Sequence, residues 1–168
     1  PDSPAAIEPF LRNLFSDPAI IRLPNPFRSL LAKLISRKRA PQAAEIYARI
    51  GGRSPILAET EAQARALELC LSARGIDARC VVGMRYWHPR AEEAAAALKA
   101  AEVERIVLLP LYPQYSATTT QSSFDDWDRA AAKIGLRLPT HRVCCYPTAP
   151  LFVKAYARRI QQTLAQAG

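Results

Sequence analysis

Nothing in the 168-residue sequence approaches the ~18 uncharged apolar residues of a membrane span, and no charged-then-apolar leader opens it. Glycine is scarce, with six residues, and none sits in a G-x-x-x-x-G-K-S/T, G-x-G-x-x-G or G-x-S-x-G arrangement. Phosphate cradles, dinucleotide turns and hydrolase elbows therefore lack their backbone signature. The four cysteines, Cys70, Cys80, Cys144 and Cys145, show no C-x-x-C spacing, and two are adjacent. At 49% hydrophobic residues the chain is long enough to form a core without staples. Four reduced, buried thiols in a cytoplasmic protein are the expectation. A disulfide scaffold, a zinc ribbon and an integral membrane protein are excluded. Only two imidazoles are present, His88 and His141.

Positive charge is abundant but local. The net charge is +8, and the segment from Arg22 to Arg53 holds eight basic residues against one acid, Glu45, a net +7. A nearly neutral body with one basic patch is not the pattern of a general nucleic-acid binder. Within the patch, Phe27, Leu30, Leu31, Leu34 and Ile35 share a helical face beside Arg28, Lys33 and Arg37. Such a helix either packs on a core or lies on an anionic membrane surface.

Periodicity divides the chain into a helical first half and an alternating second half. Helices are expected at 7–15, 27–36, 42–50 (opened by Pro41 and closed by Gly51-Gly52) and from Ser54-Pro55 to about 73. After Asp77 the pattern becomes strand 78–84, helix 89–101, strand 105–111, helix 123–134, strand 142–146 and helix 150–167. Ser123 to Asp126 reads as a capping box for the helix at 123–134. Apolar strands alternating with helices imply a doubly wound parallel α/β sheet. Such a domain ordinarily opens on a strand, whereas this chain opens on Pro1-Asp2-Ser3-Pro4, so a missing first strand is expected.

In parallel sheets the site lies beyond the carboxyl ends of the strands. There stand Met84-Arg85-Tyr86-Trp87-His88-Pro89, Leu111 to Ser123, and Cys144 to Thr148. Aromatic rings, an arginine and many hydroxyls on one rim suit a flat apolar ligand with anionic edges. Arg85 and Tyr86 read equally well as a structural hydrogen-bonded pair, and His88 reads better as a helix cap than as a catalyst. His141 is expected just before the third strand. No Asp or Glu is expected beside the strand-end aromatics, and Asp125, Asp126 and Asp128 fit a helix's first turn.

Four blocks resemble the ferrochelatase family, which inserts ferrous iron into porphyrins in haem synthesis. They are Pro1–Pro4 with Phe10–Asp17 (FLRNLFSD); Ile50–Pro55 (IGGRSP); Met84–Pro89 (MRYWHP); and Leu109–Thr120 (LPLYPQYSATTT). The resemblance spans 1–168 and implies a Rossmann-like, chelatase-type parallel sheet flanked by helices, the N-terminal one of two lobes. It implies porphyrin-binding roles for Arg39, Tyr47, Ser54, Arg85 and Tyr86, with protoporphyrin IX or coproporphyrin III as substrate and Fe2+ as the inserted metal. On the same grounds the arginines are expected to serve ligand binding more than folding. A peripheral, membrane-facing lip is implied as well. The family's catalytic His and Glu lie in a later half, so no catalytic or metal-binding residue is expected within this chain. Where some members carry a cluster-binding Cys this chain has Ala117, so no iron–sulfur cluster is expected and no cofactor is bound permanently. Where some relatives read P-T-H, this chain reads Pro147-Thr148-Ala149. A non-catalytic tetrapyrrole-binding lobe and a chelatase for another metal are the competing functions.

Overall fold

The computed structural model describes residues 1–167, in which six α-helices accompany a small two-stranded parallel sheet. Helix α1 (Ile7–Phe15) follows a 3-10 turn at Pro4–Ala6, and α2 spans Phe27–Ala48. Next come α3 (Ile56–Ser72), α4 (Ala91–Ala100), β1 (Ile106–Leu108) and α5 (Ser122–Lys133). Strand β2 (Thr140–Arg142) and α6 (Pro150–Ala167) complete the order.

The two helices expected at 27–36 and 42–50 are one helix, with Pro41 in its interior. Pro41 has no N–H to donate to the carbonyl of Arg37, which sits at an exposed position where water can replace the bond. Packing holds the helix through that gap. The α1–α2 pair is the most extensive helix contact, and Ile7, Ala32 and Ser36 are almost wholly buried. Small residues at 32 and 36, one turn apart, suit a close helix approach. Gly51 and Gly52 then adopt positive φ, and the Gly52 N–H donates to the Tyr47 carbonyl at 2.8 Å. This closes α2 as the glycine pair predicts.

The sheet is smaller than periodicity predicts. Only β1 and β2 pair, with Ile106, Val107 and Leu108 opposite Thr140, His141 and Arg142. Val143 N–H still reaches the Leu108 carbonyl and Tyr146 N–H the Pro113 carbonyl, both at 2.9 Å. The two chains therefore run side by side, but Pro110 and Pro113 cannot donate, and the ladder stops early. His141 is part of β2 rather than a residue preceding it. The segment 78–84 forms no strand ladder, because the Cys80 N–H is taken by the Glu68 carboxylate and Met84 makes a single bridge to Arg90.

The core lies between α4, β1 and α5, where Ala94, Ala95, Ile106 and Trp127 are buried against Val81, Leu98, Leu108 and Ile134. Helices α4 and α5 pack on each other beside the sheet, whereas α3 and α6 make little contact with any element. The expected doubly wound layering, with helices over both faces, is thus only partly formed among the described residues. Three cysteines, Cys70, Cys144 and Cys145, are exposed and Cys80 is half-buried, against the expectation of buried thiols. Their segments lie on α3 and after β2, where too little packs to cover them.

Candidate functional site

The four sequence blocks meet. Ser54 N–H donates to the Pro1 carbonyl at 2.9 Å, joining the first block to the second. The Asn13 side-chain amide donates to the Tyr86 carbonyl at 3.0 Å, joining the first to the third. Arg85 Nε donates to Ser122 Oγ at 3.3 Å, and that hydroxyl donates to the Thr118 carbonyl of the fourth block at 3.0 Å. Tyr146, following β2, donates its hydroxyl to the Pro110 carbonyl at 3.1 Å.

Asp17 sits where these blocks join, at the turn that ends α1. One of its oxygens, Oδ2, accepts from Arg85 Nη2 at 2.6 Å and from the Tyr86 hydroxyl at 2.8 Å. Its other oxygen accepts the Ala19 N–H at 2.8 Å. Arg85 Nη1 also meets Asp126 Oδ2 at 3.1 Å, and the guanidinium lies 4.9 Å from the Tyr86 ring centroid. The Arg85 and Asp17 side chains are 13% and 4% exposed, so this ion pair is largely withdrawn from water. Burial, followed by the bond to Asp17, raises the Tyr86 hydroxyl well above its ordinary pKa of 10.0 and keeps it a donor.

Carboxylates therefore do stand beside the strand-end aromatics, contrary to expectation. The sequence around Asp17 does not reveal this role, because its partners lie 68 and 69 residues away. Asp126 was assigned to a helix dipole, but it binds Arg85 and Arg129. Asp128 likewise serves β2, holding Arg142 at 2.6 and 2.9 Å.

The remaining predicted residues occupy a different neighbourhood. Arg39 is exposed on α2, its guanidinium 6.0 Å from the Phe15 ring centroid. Tyr47 is half-buried eight residues further along, about 12 Å away by helical rise. Ser54 Oγ accepts the Ile56 N–H at 3.3 Å and so starts α3. No hydrogen bond joins the side chains of Arg39, Tyr47 and Ser54 to Arg85 or Tyr86, which share their own anchor.

His88 does not cap a helix directly. The α4 cap is Glu93, whose Oε2 accepts the Arg90 N–H at 2.7 Å, and His88 Nδ1 lies 2.7 Å from that same oxygen. These bonds, the backbone one foremost, hold Glu93 below its ordinary carboxylate pKa. The expected capping box at Ser123 is replaced by a π turn, Ala117–Gln121, which runs straight into α5. Ser116 Oγ caps that turn by accepting the Thr119 N–H at 3.1 Å. Ser123 Oγ instead donates to the Thr119 carbonyl at 2.8 Å. Among the described residues, no three His, Cys, Asp or Glu side chains gather as a metal site.

Comparison with known proteins identifies the family. The ferrochelatase family model matches residues 1–168. A ferrochelatase from Phenylobacterium zucineum is 54% identical over 170 residues, covering 100% of this chain and 49% of that protein. Ferrochelatases from Caulobacter vibrioides (strain NA1000 / CB15N) and Pelagibacter ubique are 48% and 46% identical, over 100% and 95% of this chain and 48% and 47% of theirs. The chain spans about half the length of these curated relatives. With the family model matched from first residue to last and relatives near 50% identical along its whole length, the chain belongs to the ferrochelatase family.

Proposed function

We propose that this chain is the porphyrin-gripping half of a ferrochelatase, acting in the insertion of Fe2+ into protoporphyrin IX or coproporphyrin III with release of two pyrrole protons. The junction of the first and third family blocks at Asp17, and of the first and second at the Ser54–Pro1 contact, supports this reading. Arg39 offers an exposed cation to a porphyrin carboxylate, and Tyr47 an aromatic face to the macrocycle. Ser54 contributes a hydroxyl at the turn between α2 and α3. Arg85 and Tyr86 contribute an aromatic ring carrying a stacked guanidinium. Proton removal and metal delivery belong, in this proposal, to the part of the full-length relatives that the chain does not span. Both need a base and ligands.

Attachment to an anionic membrane surface is part of the same proposal. No helix among the described residues is long and apolar enough to cross a membrane. Phe27, Leu30 and Leu34 are nevertheless 65%, 60% and 57% exposed on α2, within the basic segment. Sedimentation with anionic vesicles should fall steeply as salt rises. Equal sedimentation with neutral vesicles would refute the electrostatic part.

The deciding assay follows porphyrin fluorescence with Fe2+ or Zn2+ under anaerobic conditions, for the 168-residue chain, a full-length protein containing it, and buffer. Metallation by the full-length protein and binding without turnover by the chain are expected. A full-length protein that binds porphyrin without metallating it would favour a tetrapyrrole-binding role. A full-length protein preferring cobalt or nickel would favour another chelatase.

A further inference from the structure

Arg85 has little left to offer a ligand. Its Nε is bonded to Ser122, Nη1 to Asp126 and Nη2 to Asp17. One cation thus stands between two carboxylates, with Arg129 reaching Asp126 from outside. A porphyrin carboxylate arriving here would meet Asp17 and Asp126 as well as Arg85, so the cluster offers it no net positive charge. The exposed Arg39 faces no such competition, since it makes no ion pair among the described residues.

The geometry has another use. Asp17 Oδ2 takes both Arg85 and Tyr86, while Oδ1 is tied to the Ala19 N–H, so the carboxylate is fixed on both sides. Asn13 holds the Tyr86 backbone from the same helix. We infer that Asp17 is a positioning residue for the tetrapyrrole site, setting the Tyr86 ring and its stacked Arg85 as one preformed surface. This rests on the porphyrin-gripping reading above. A surface ordered before the ligand arrives costs less to order on binding, so the gain appears as affinity.

The test uses a full-length protein containing this segment, with protoporphyrin titrated by fluorescence at a temperature where every variant is folded. Asp17→Asn and Tyr86→Phe should each weaken binding about fivefold to tenfold, the scale of one hydrogen bond. The double variant should bind little worse than the weaker single, because both changes break one contact. Asp17→Glu should recover part of the loss. Unchanged affinity in Tyr86→Phe, or losses that multiply in the double variant, would overturn the proposal. Where Asp17→Asn does not fold, Tyr86→Phe decides alone. Arg39→Leu separates the two claims. If it weakens binding while Tyr86→Phe does not, the gripping role stands and the positioning role falls. If Arg39→Leu binds normally while the Asp17 and Tyr86 variants fail together, the Arg39 assignment falls and Asp17 stands.

Discussion

Around Asp17, polar side chains from the end of α1, the loop before α4 and the start of α5 are withdrawn from water, and each is bonded. On α6 the reverse holds, for Leu151, Val153, Tyr156, Ile160 and Leu164 are 50–79% exposed, with few neighbours. The aromatic chain Tyr146–Phe152–Tyr156, with centroids 5.5 Å apart, ties that helix to the strand end. A buried charge must have its own partners, so the Asp17 region is specified internally. Apolar surface asks only for other apolar surface, and a contiguous stretch of it marks a contact face.

The largest way to break this contrast is to remove a charge from the bonded side. Arg85→Leu leaves Asp17 buried without its cation and should cost about 3–5 kcal/mol in urea unfolding. This differs from the sequence expectation that Arg85 serves the ligand more than the fold. Arg39→Leu, at an exposed position, should leave unfolding nearly unchanged yet weaken porphyrin binding by about 1.5–3 kcal/mol. A similar unfolding penalty for both arginines would erase the distinction drawn between them. On the open side, Leu151→Ser or Leu164→Ser should shift the melting temperature of the isolated chain scarcely at all, since little packing is lost.

The smallest effect concerns α4. Glu93 is half exposed, so solvent screens it, and Glu93→Ala should cost under about 1 kcal/mol. Because its folded pKa is lowered, its contribution is full above the ordinary carboxylate range and disappears as pH falls through the lowered value. Unfolding of the parent and the variant should therefore converge in acid. A gap that persists below that range would assign the effect to packing instead.

What the sequence made legible follows the range of the forces involved. Helices α1, α3 and α6 match their expected spans within a residue or two, because their apolar spacing and stops are local. Gly75 and Gly135 end helices at positive φ, as glycine at those places predicts. The continuity of α2 through Pro41 was not legible, since it depends on α1 lying alongside. The shortness of β1 was half legible. Pro110 and Pro113 are plain in the sequence, but which carbonyls they leave unmatched depends on register. Of the candidate site, Arg85 and Tyr86 lie together on one anchor, whereas Arg39, Tyr47 and Ser54 lie apart from them. The acceptor that Arg85 and Tyr86 share, Asp17, stands just past the end of α1 and before Pro18, where its neighbours mark only a helix stop. A residue that terminates a helix and neutralises a distant arginine shows only the first duty in its neighbours.

The π turn at Ala117–Gln121 has a consequence for the length of the chain around it. Its ring is closed by Gln121 N–H on the Ser116 carbonyl at 3.1 Å, five residues back. It continues without a break into α5, which is anchored by buried Phe124 and Trp127. An α turn closes on the fourth residue back and this one on the fifth. Deleting one residue here would therefore leave an ordinary α turn, with those anchors and the upstream chain near their present directions. Tyr112 and Tyr115 would keep much the same bearing on α5. Loops commonly absorb insertions and deletions, and this turn holds its spare residue inside the start of a helix, where one could be lost without turning the aromatics away.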